Sequence, residues 1–150
     1  MGSHRAQEFT HNLLRITAGL FFLMHGGQKL LGWFGGMDGH GMTATLSTLP
    51  GVAGIIELVS GSLMLVGLFA RPAAFVLSGE MAVAYFTQHF PHGVWPIQNH
   101  GETAVLYCFI WLYFAGSGAG VFSLDHVLSR RREHREHPRH MPTPATAMPR

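Results

Sequence analysis

The chain has 150 residues, enough for one ordinary domain; 47% of them are hydrophobic and 12% are charged. A soluble domain of average composition carries about 25% charged residues. Only eight charged side chains lie between residues 9 and 129, too few for a water-facing surface, which excludes an ordinary soluble domain and a disordered chain. The pI near 9.1 comes mainly from arginines near the C-terminus, so a nucleic-acid partner is not expected.

Four long apolar segments follow one another along the chain. Each has roughly the 20 apolar residues that a helix needs to cross a hydrocarbon core about 30 Å thick, and none alternates with period two. We therefore predict an all-α fold, an antiparallel four-helix transmembrane bundle over residues 12–125, after a short N-terminal segment, 1–11. The predicted helices are 12–34, 50–70, 72–90 and 101–122.

Glycine and proline residues mark the breaks between these segments. A glycine-rich loop surrounds Asp38, Pro50 suits the first turn of the second helix, and Arg71-Pro72 predicts a tight turn before the third. Residues 126–150 are rich in Arg, His and Pro and almost lack apolar residues. This composition predicts a disordered basic tail.

Positive charges predict the orientation of the bundle. Arg5 precedes the first helix, Arg71 lies between the second and third, and Arg130–Arg132 follow the fourth, whereas the two remaining loops lack Lys and Arg. Cytoplasmic loops collect Lys and Arg, so both termini should face the cytoplasm in a multi-pass protein of the cell membrane. Arg15 interrupts the first apolar segment, and we expect no cleaved secretory signal there.

A cluster of ionisable side chains is predicted inside the bundle. His25 and Lys29 share one face of the first helix, and Glu57 lies at a similar depth on the second, between Gly54 and Gly61. Small residues let a neighbouring helix approach closely, and a buried carboxylate needs a partner. We expect Glu57 to pair with His25, Lys29 or both, and predict these three as a proton-handling catalytic cluster.

Further candidates lie on the third and fourth helices. Glu80, His89, Glu102 and Trp111 are predicted to bind a ligand, since they offer polar or flat aromatic groups within the apolar segments. Glu102 also suits the positive end of a helix dipole, a purely structural role. Arg15 is expected to extend to the lipid headgroups.

Metal and thiol chemistry find little support in the sequence. His25, Glu57, His89 and Glu102 offer ligand atoms, but no short spacing such as HExxH joins them, and no metal site is predicted. Cys108 is the only cysteine, which excludes an intramolecular disulfide, a CxxC pair and a cysteine-based zinc or iron–sulfur site.

Seven short motifs follow in order between about residues 13 and 125. They are Arg15 with Gly19, His25-Gly26-Gly27-Gln28-Lys29-Leu30, Glu57-Leu58 with Gly61, Gly67-Leu68-Phe69-Ala70-Arg71, Met81-Ala82-Val83-Ala84-Tyr85 before His89, Asn99-His100-Gly101-Glu102, and Gly118-Ala119-Gly120-Val121-Phe122-Ser123-Leu124-Asp125. In this order and spacing they resemble the DoxX family of small four-helix membrane proteins. That family is linked to terminal quinol oxidase and to thiosulfate:quinone oxidoreduction, so the resemblance implies quinone or sulfur redox chemistry.

Three functions remain open at this point. The first is a redox-associated subunit that handles quinone or a small sulfur species beside a cofactor-bearing oxidoreductase subunit; quinone is then the candidate cofactor. The second is a non-catalytic accessory protein whose tail recruits a soluble redox or detoxification enzyme. The third is a small transporter, which would have to be a homo-oligomer because four helices enclose little space. The lipid bilayer is the expected partner in each.

Overall fold

The fold is entirely helical over residues 2–136, the part of the chain that the computed structural model describes, with residues 133–136 described by their backbone alone. No strand occurs in that range, which confirms the all-α prediction. The helices are α1 (Gly2–Leu31), α2 (Leu49–Val66), α3 (Ala70–Ala84), α4 (Pro96–Asn99), α5 (Glu102–Ser117) and α6 (Leu124–Glu136).

Several helix boundaries differ from the prediction. Helix α1 begins at Gly2, well before the predicted residue 12, because the polar residues ahead of the apolar segment continue the helix. Helix α3 ends at Ala84 and continues as a π-helical turn, Tyr85–His89. Helix α6 covers residues for which disorder is predicted from 126 onward, so that prediction is wrong up to 136, and residues 137–150 lie outside the described part.

The four long helices α1, α2, α3 and α5 pack in chain order, and consecutive helices run antiparallel. Gly19 faces Gly61 and Gly26 faces Gly54 across α1 and α2, while Ser78 on α3 bonds Cys108 on α5. The rings of Phe22 and Trp111, 5.0 Å apart, bring α1 against α5. One end of this bundle carries the loops 32–48 and 85–101 and is called the loop end. The other carries the connections 67–69 and 118–123 and is called the hairpin end.

Glycine allows α1 and α2 to approach almost backbone to backbone. A Cβ atom added to Gly26 would lie 2.8 Å from the carbonyl oxygen of Gly54, and one added to Gly61 would lie 2.6 Å from the amide nitrogen of Leu23. Both distances are too short for real atoms, so these positions accept only glycine at this helix spacing. Close packing of this kind is what small residues provide between helices.

Large apolar side chains lie both inside and outside the bundle. Its centre contains the buried Phe22, Met64, Leu77, Trp111 and Phe114, together with several alanines. Other large apolar residues face outward on every long helix, among them Val59 (53% exposed), Phe75 (67%) and Phe109 (65%). Within the described residues, α2 alone combines the length of a membrane span with sufficient mean hydropathy, 1.8.

Arg15 joins three segments at the hairpin end, where a headgroup contact was expected. Its side chain is buried, 1% exposed, and its guanidinium donates to the carbonyl oxygens of Met64, Leu65 and Phe122. The last carbonyls of a helix lack partners within the helix itself. Arg15 therefore caps the C-terminus of α2, and the predicted contact with headgroups is wrong.

We predict opposite effects of two Gly→Ala substitutions. Gly26→Ala should lower the stability of the purified protein by about 1–3 kcal/mol, because the new methyl group forces α1 and α2 apart. Gly79→Ala should leave stability unchanged or raise it by up to about 1 kcal/mol, because nothing lies within 4 Å of its Cβ and alanine favours the helix. Thermal unfolding of both variants in the same detergent checks this, and equal melting temperatures would contradict the close approach.

Candidate functional site

A buried ion pair joins α1 to α2 near the loop end. The Nζ atom of Lys29 lies 2.7 Å from both Oε1 and Oε2 of Glu57. The Glu57 side chain is 5% exposed and that of Lys29 is 26% exposed, because Lys29 lies in the last turn of α1. Gly54 opens the space for this contact, since a Cβ there would lie 3.1 Å from the Cβ of Lys29.

A second carboxyl group, that of Glu80, lies on α3 beside this pair. It is close enough to Glu57 and Lys29 for their charges to act on it. Its Oε2 atom is buried and has no hydrogen-bond partner among the residues that the structure describes. A buried acceptor without a partner is rare in proteins and is often found at a functional site or beside an ordered water molecule.

Lys29 and Glu80 line a cavity of about 670 Å³ between α2, α3 and the loop before α2. Its walls are mostly apolar, and its polar groups lie on the Lys29 and Glu80 sides and at the rim. A ligand pocket typically combines apolar walls with a few converging polar groups. The residues that line it are Lys29, Ser47, Thr48, Leu49, Pro50, Val52, Ala53, Ile56, Glu80, Met81, Val83, Ala84 and Gln88.

The loop 32–48 brings its last residues to this rim in an ordered conformation. The amide of Ala44 donates to the Lys29 carbonyl at 2.7 Å, and Gln28 Nε2 donates to the Gly36 carbonyl at 3.0 Å. Asp38 accepts hydrogen bonds from the amides of Met42 and His40, and these bonds lower the pKa of its exposed carboxyl. The loop thus closes on itself and is held against the end of α1.

The structure unites two of the three residues predicted as a proton-handling cluster. Glu57 and Lys29 meet as expected, whereas His25 is exposed and makes no side-chain hydrogen bond within the described range. His25 lies one turn before Lys29 but turns outward, because the neighbouring Gly26 is the residue that faces α2. Of the expected partners of Glu57, Lys29 alone is paired with it, and Glu80 rather than His25 lies beside the pair.

The other predicted ligand-binding residues do not gather around the cavity. His89 bonds the Asn99 carbonyl through Nδ1 at 3.1 Å and stacks on Tyr85, which ties together the loop between α3 and α5. Glu102 is exposed at the start of α5. Trp111 is fully buried in the bundle core, and its Nε1 atom has no hydrogen-bond partner among the described residues.

The four side chains considered as metal ligands also remain apart. No group of three or more His, Cys, Asp or Glu side chains converges on one point among residues 2–132, whose side chains the structure describes. Sequence reasoning missed Gln88 and the rim residues 47–50. Their only sequence signal was the predicted position of Pro50 at the start of a helix, which placed them near the loop end but not beside Glu80.

Comparison with known proteins places the chain in a family. The family model described as DoxX matches residues 11–90. A protein of Haemophilus influenzae, described as an uncharacterized protein, is 45% identical over 121 residues, which are 79% of this chain and 90% of that protein. No solved structure matches the chain.

The two halves of the ion pair should differ in their contribution to stability. Lys29→Met leaves the buried Glu57 carboxylate unpaired and should cost about 3 kcal/mol, whereas Glu57→Gln leaves a lysine that can reach solvent and should cost about 1 kcal/mol. The double variant should cost less than the sum, because both changes remove the same contact. Denaturation of the four proteins in one detergent measures this double-mutant cycle.

His25→Ala is the matched control for that cycle, on the same helix one turn away. Because His25 is exposed, its replacement should change stability by less than about 0.5 kcal/mol. Strictly additive costs for Lys29 and Glu57, or a larger loss from His25→Ala, would contradict the arrangement described.

Proposed function

This chain belongs to the DoxX family, and we propose that it is a multi-pass membrane protein that binds a quinone or quinol ring in the cavity between α2 and α3. In this proposal both termini face the cytoplasm. The chain works beside a partner subunit that carries an electron-accepting cofactor. The observation that carries the proposal is a half-buried cavity with mostly apolar walls that Lys29 and Glu80 both line.

The outward apolar side chains support insertion in a bilayer. Soluble monomers rarely expose apolar patches larger than a few hundred Å², yet every long helix here turns Phe, Leu, Ile or Val residues outward. The family is membrane-associated, and α2 is long and apolar enough to cross. Arg5, Arg71 and Arg130 all belong to the hairpin end, which supports a cytoplasmic location for that end.

The size and charge of the cavity favour a quinone over a small sulfur species. A volume of about 670 Å³ accommodates an aromatic ring with part of an apolar tail and is far larger than a thiosulfate ion needs. Ile56, Met81 and Val83 offer apolar contact to such a ring. The cluster also has two carboxyl groups and one amine, a balance that does not favour a small anion.

The polar groups match the two oxygen atoms of a quinone ring. An ammonium group has three N–H donors, and Lys29 directs its bonds to the two oxygens of Glu57, which leaves a donor for a quinone carbonyl. The carboxyl group of Glu80, which lines the cavity, can accept a hydrogen bond from a quinol hydroxyl. Oxidation of a quinol releases two protons and two electrons; the Glu80 carboxyl group is positioned to take one proton as a general base, and water at the open side of the cavity takes the other.

The electrons must leave by another route. Cys108 is the single cysteine of the chain, so the protein has no pair of thiols that could take up two electrons. We therefore assign the electron-accepting group to the partner subunit. His25, exposed beside this site, has no part in the proton transfer proposed here.

Transport through one copy of this bundle receives less support. The cavity at the loop end shares no lining residue with either of two cavities at the hairpin end. The packed side chains of Phe22, Met64, Leu77, Trp111 and Phe114 fill the bundle core. The accessory role depends on the tail, of which residues 137–150 lie outside the described part, and it does not require the cavity.

Binding of decylubiquinone and of its quinol tests the proposal. Purified protein in detergent micelles should bind both, and Ala53→Trp should abolish binding by filling the cavity. Glu80→Gln should weaken quinol binding by about tenfold and leave quinone binding almost unchanged, because only the quinol donates a hydrogen bond to the carboxylate. Titration calorimetry measures both ligands.

Glu102→Gln serves as the control, since it removes an exposed carboxylate on another helix and should change neither affinity. Equal uptake of quinone by the wild type and Ala53→Trp would mean simple partition into the micelle and would refute the cavity. Equal effects of Glu80→Gln on quinone and quinol would refute the role of Glu80.

A further inference from the structure

Helix α6 presents an apolar strip that the described structure leaves about half uncovered. Leu124, Val127 and Leu128 share one face at the spacing of a helix, about 100° per residue. They are 45%, 44% and 47% exposed. Side chains packed against the bundle would be less exposed than this. The uncovered part of the strip is therefore available to a partner outside the chain.

The arginines that follow are arranged around this strip. On a helical projection Arg131 continues the line of Leu124, Val127 and Leu128, while Arg130 and Arg132 lie on either side of it. All three are exposed. An apolar strip bordered by arginines is typical of a helix that lies in a membrane–water interface, where the long side chains reach headgroup phosphates.

The direction of the strip is fixed by the first residues of α6. The Asp125 carboxylate accepts hydrogen bonds from the amides of Phe69 and Ala70 at 2.9 and 3.0 Å, and the Asp125 amide donates to the Gly67 carbonyl at 2.9 Å. The Ser123 hydroxyl accepts from the amide of His126 at 3.2 Å. Because the Asp125 carboxylate is hydrogen-bonded to the α2–α3 turn, its negative charge does not face a partner that binds to the apolar strip.

Another cation lies at the same end. Arg71 borders an open cavity of about 650 Å³ that His126 and Ser129 of α6 also line. Arg71 forms no ion pair with any side chain that the structure describes. Its guanidinium lies against Gly118, whose Cβ position would be 3.2 Å from Nε. Because His126 and Ser129 lie on the face of α6 opposite the apolar strip, Arg71 lies on that opposite face and does not border the strip.

We propose that α6 is an interfacial helix that binds the anionic phospholipid surface of the leaflet at the hairpin end. Leu124, Val127 and Leu128 insert among the acyl chains, and Arg130–Arg132 contact lipid phosphates. This inference rests on the membrane part of the proposed function and is independent of quinone. It commits to lipid because the complementary charge and the apolar strip occur together at the end of a bundle whose sides are apolar.

Spin labels at two positions on α6 and one position on α2 test this in nanodiscs. The full chain with Cys108→Ala receives a single cysteine at Val127, at Ser129, which lies on the opposite side of α6, or at Val59, which faces outward on α2. The rates at which each spin label collides with oxygen and with a water-soluble nickel complex report how deep the label lies in the bilayer. In discs of phosphatidylcholine with phosphatidylglycerol, we expect a several-fold higher oxygen-to-nickel ratio at Val127 than at Ser129.

The second part of the experiment varies the charge of the lipid. In discs of phosphatidylcholine alone, the contrast between Val127 and Ser129 should shrink. The combined Arg130→Gln, Arg131→Gln and Arg132→Gln variant should show the same small contrast in both lipids. Arg5→Gln is the matched control, because it removes a cation at the same end of the bundle but on α1, and it should change nothing.

The outcomes separate this proposal from the one on which it rests. Equal water exposure of Val127 and Ser129 in anionic discs, or a contrast that is independent of lipid charge, would overturn it. Shielding of Val127 from both reagents would indicate a second copy of the chain on the strip and would also overturn it. Water exposure at Val59 would instead refute membrane insertion itself, whereas lipid exposure at Val59 with a failed contrast refutes only the role of α6.

Discussion

The contact between Lys29 and Glu57 is the interaction on which the arrangement of the loop end depends. A carboxylate that is 5% exposed is stable only beside a cation, and Lys29 supplies it through both oxygens at 2.7 Å. That contact requires α1 and α2 to lie close, which the facing Gly26 and Gly54 permit. When α1 and α2 are held at this spacing, Glu80 on α3 lies next to a pair whose charges already balance. One of its carboxyl oxygens then has no hydrogen-bond partner among the described residues.

The two ends of the bundle use polar groups in different ways. At the hairpin end the buried Arg15 and the partly buried Asp125 are engaged with backbone groups of α2, of the turn after it and of α3, so their role is to hold the chain together. The Nε atom of Arg15 also lacks a partner, but Arg15 lines none of the cavities described, whereas at the loop end Glu80 and Lys29 line a cavity together. This difference is the physical basis for placing ligand binding at the loop end and membrane-surface contact at the hairpin end.

The need of a buried charged group for a partner explains which parts of the site could be predicted from the sequence and which could not. Glu57 was recognisable because a short carboxylate in an apolar segment needs a partner and because glycines flank it on one face. His25 and Lys29 share a face by spacing alone, but a helix face is broad, and Gly26 rather than His25 points at α2. Arg15 has a side chain long enough for either solvent or the interior, and only the position of the α2 carbonyls decides between them.

Amino-acid composition and the length of the apolar segments by themselves determined the helical class and the approximate positions of the four long helices. They also indicated a buried carboxylate. These features depend on residues that are close in the chain. The cavity, the isolation of Trp111 in the core and the helical start of the tail depended on contacts between distant segments. Helix α6 illustrates the reason: residues 126–136 lack a local pattern strong enough to predict a helix, and their start is organised by Asp125 bonding the amides of Phe69 and Ala70. Such contacts have no signature in the order of residues, because they exist only once the α2–α3 turn is in place.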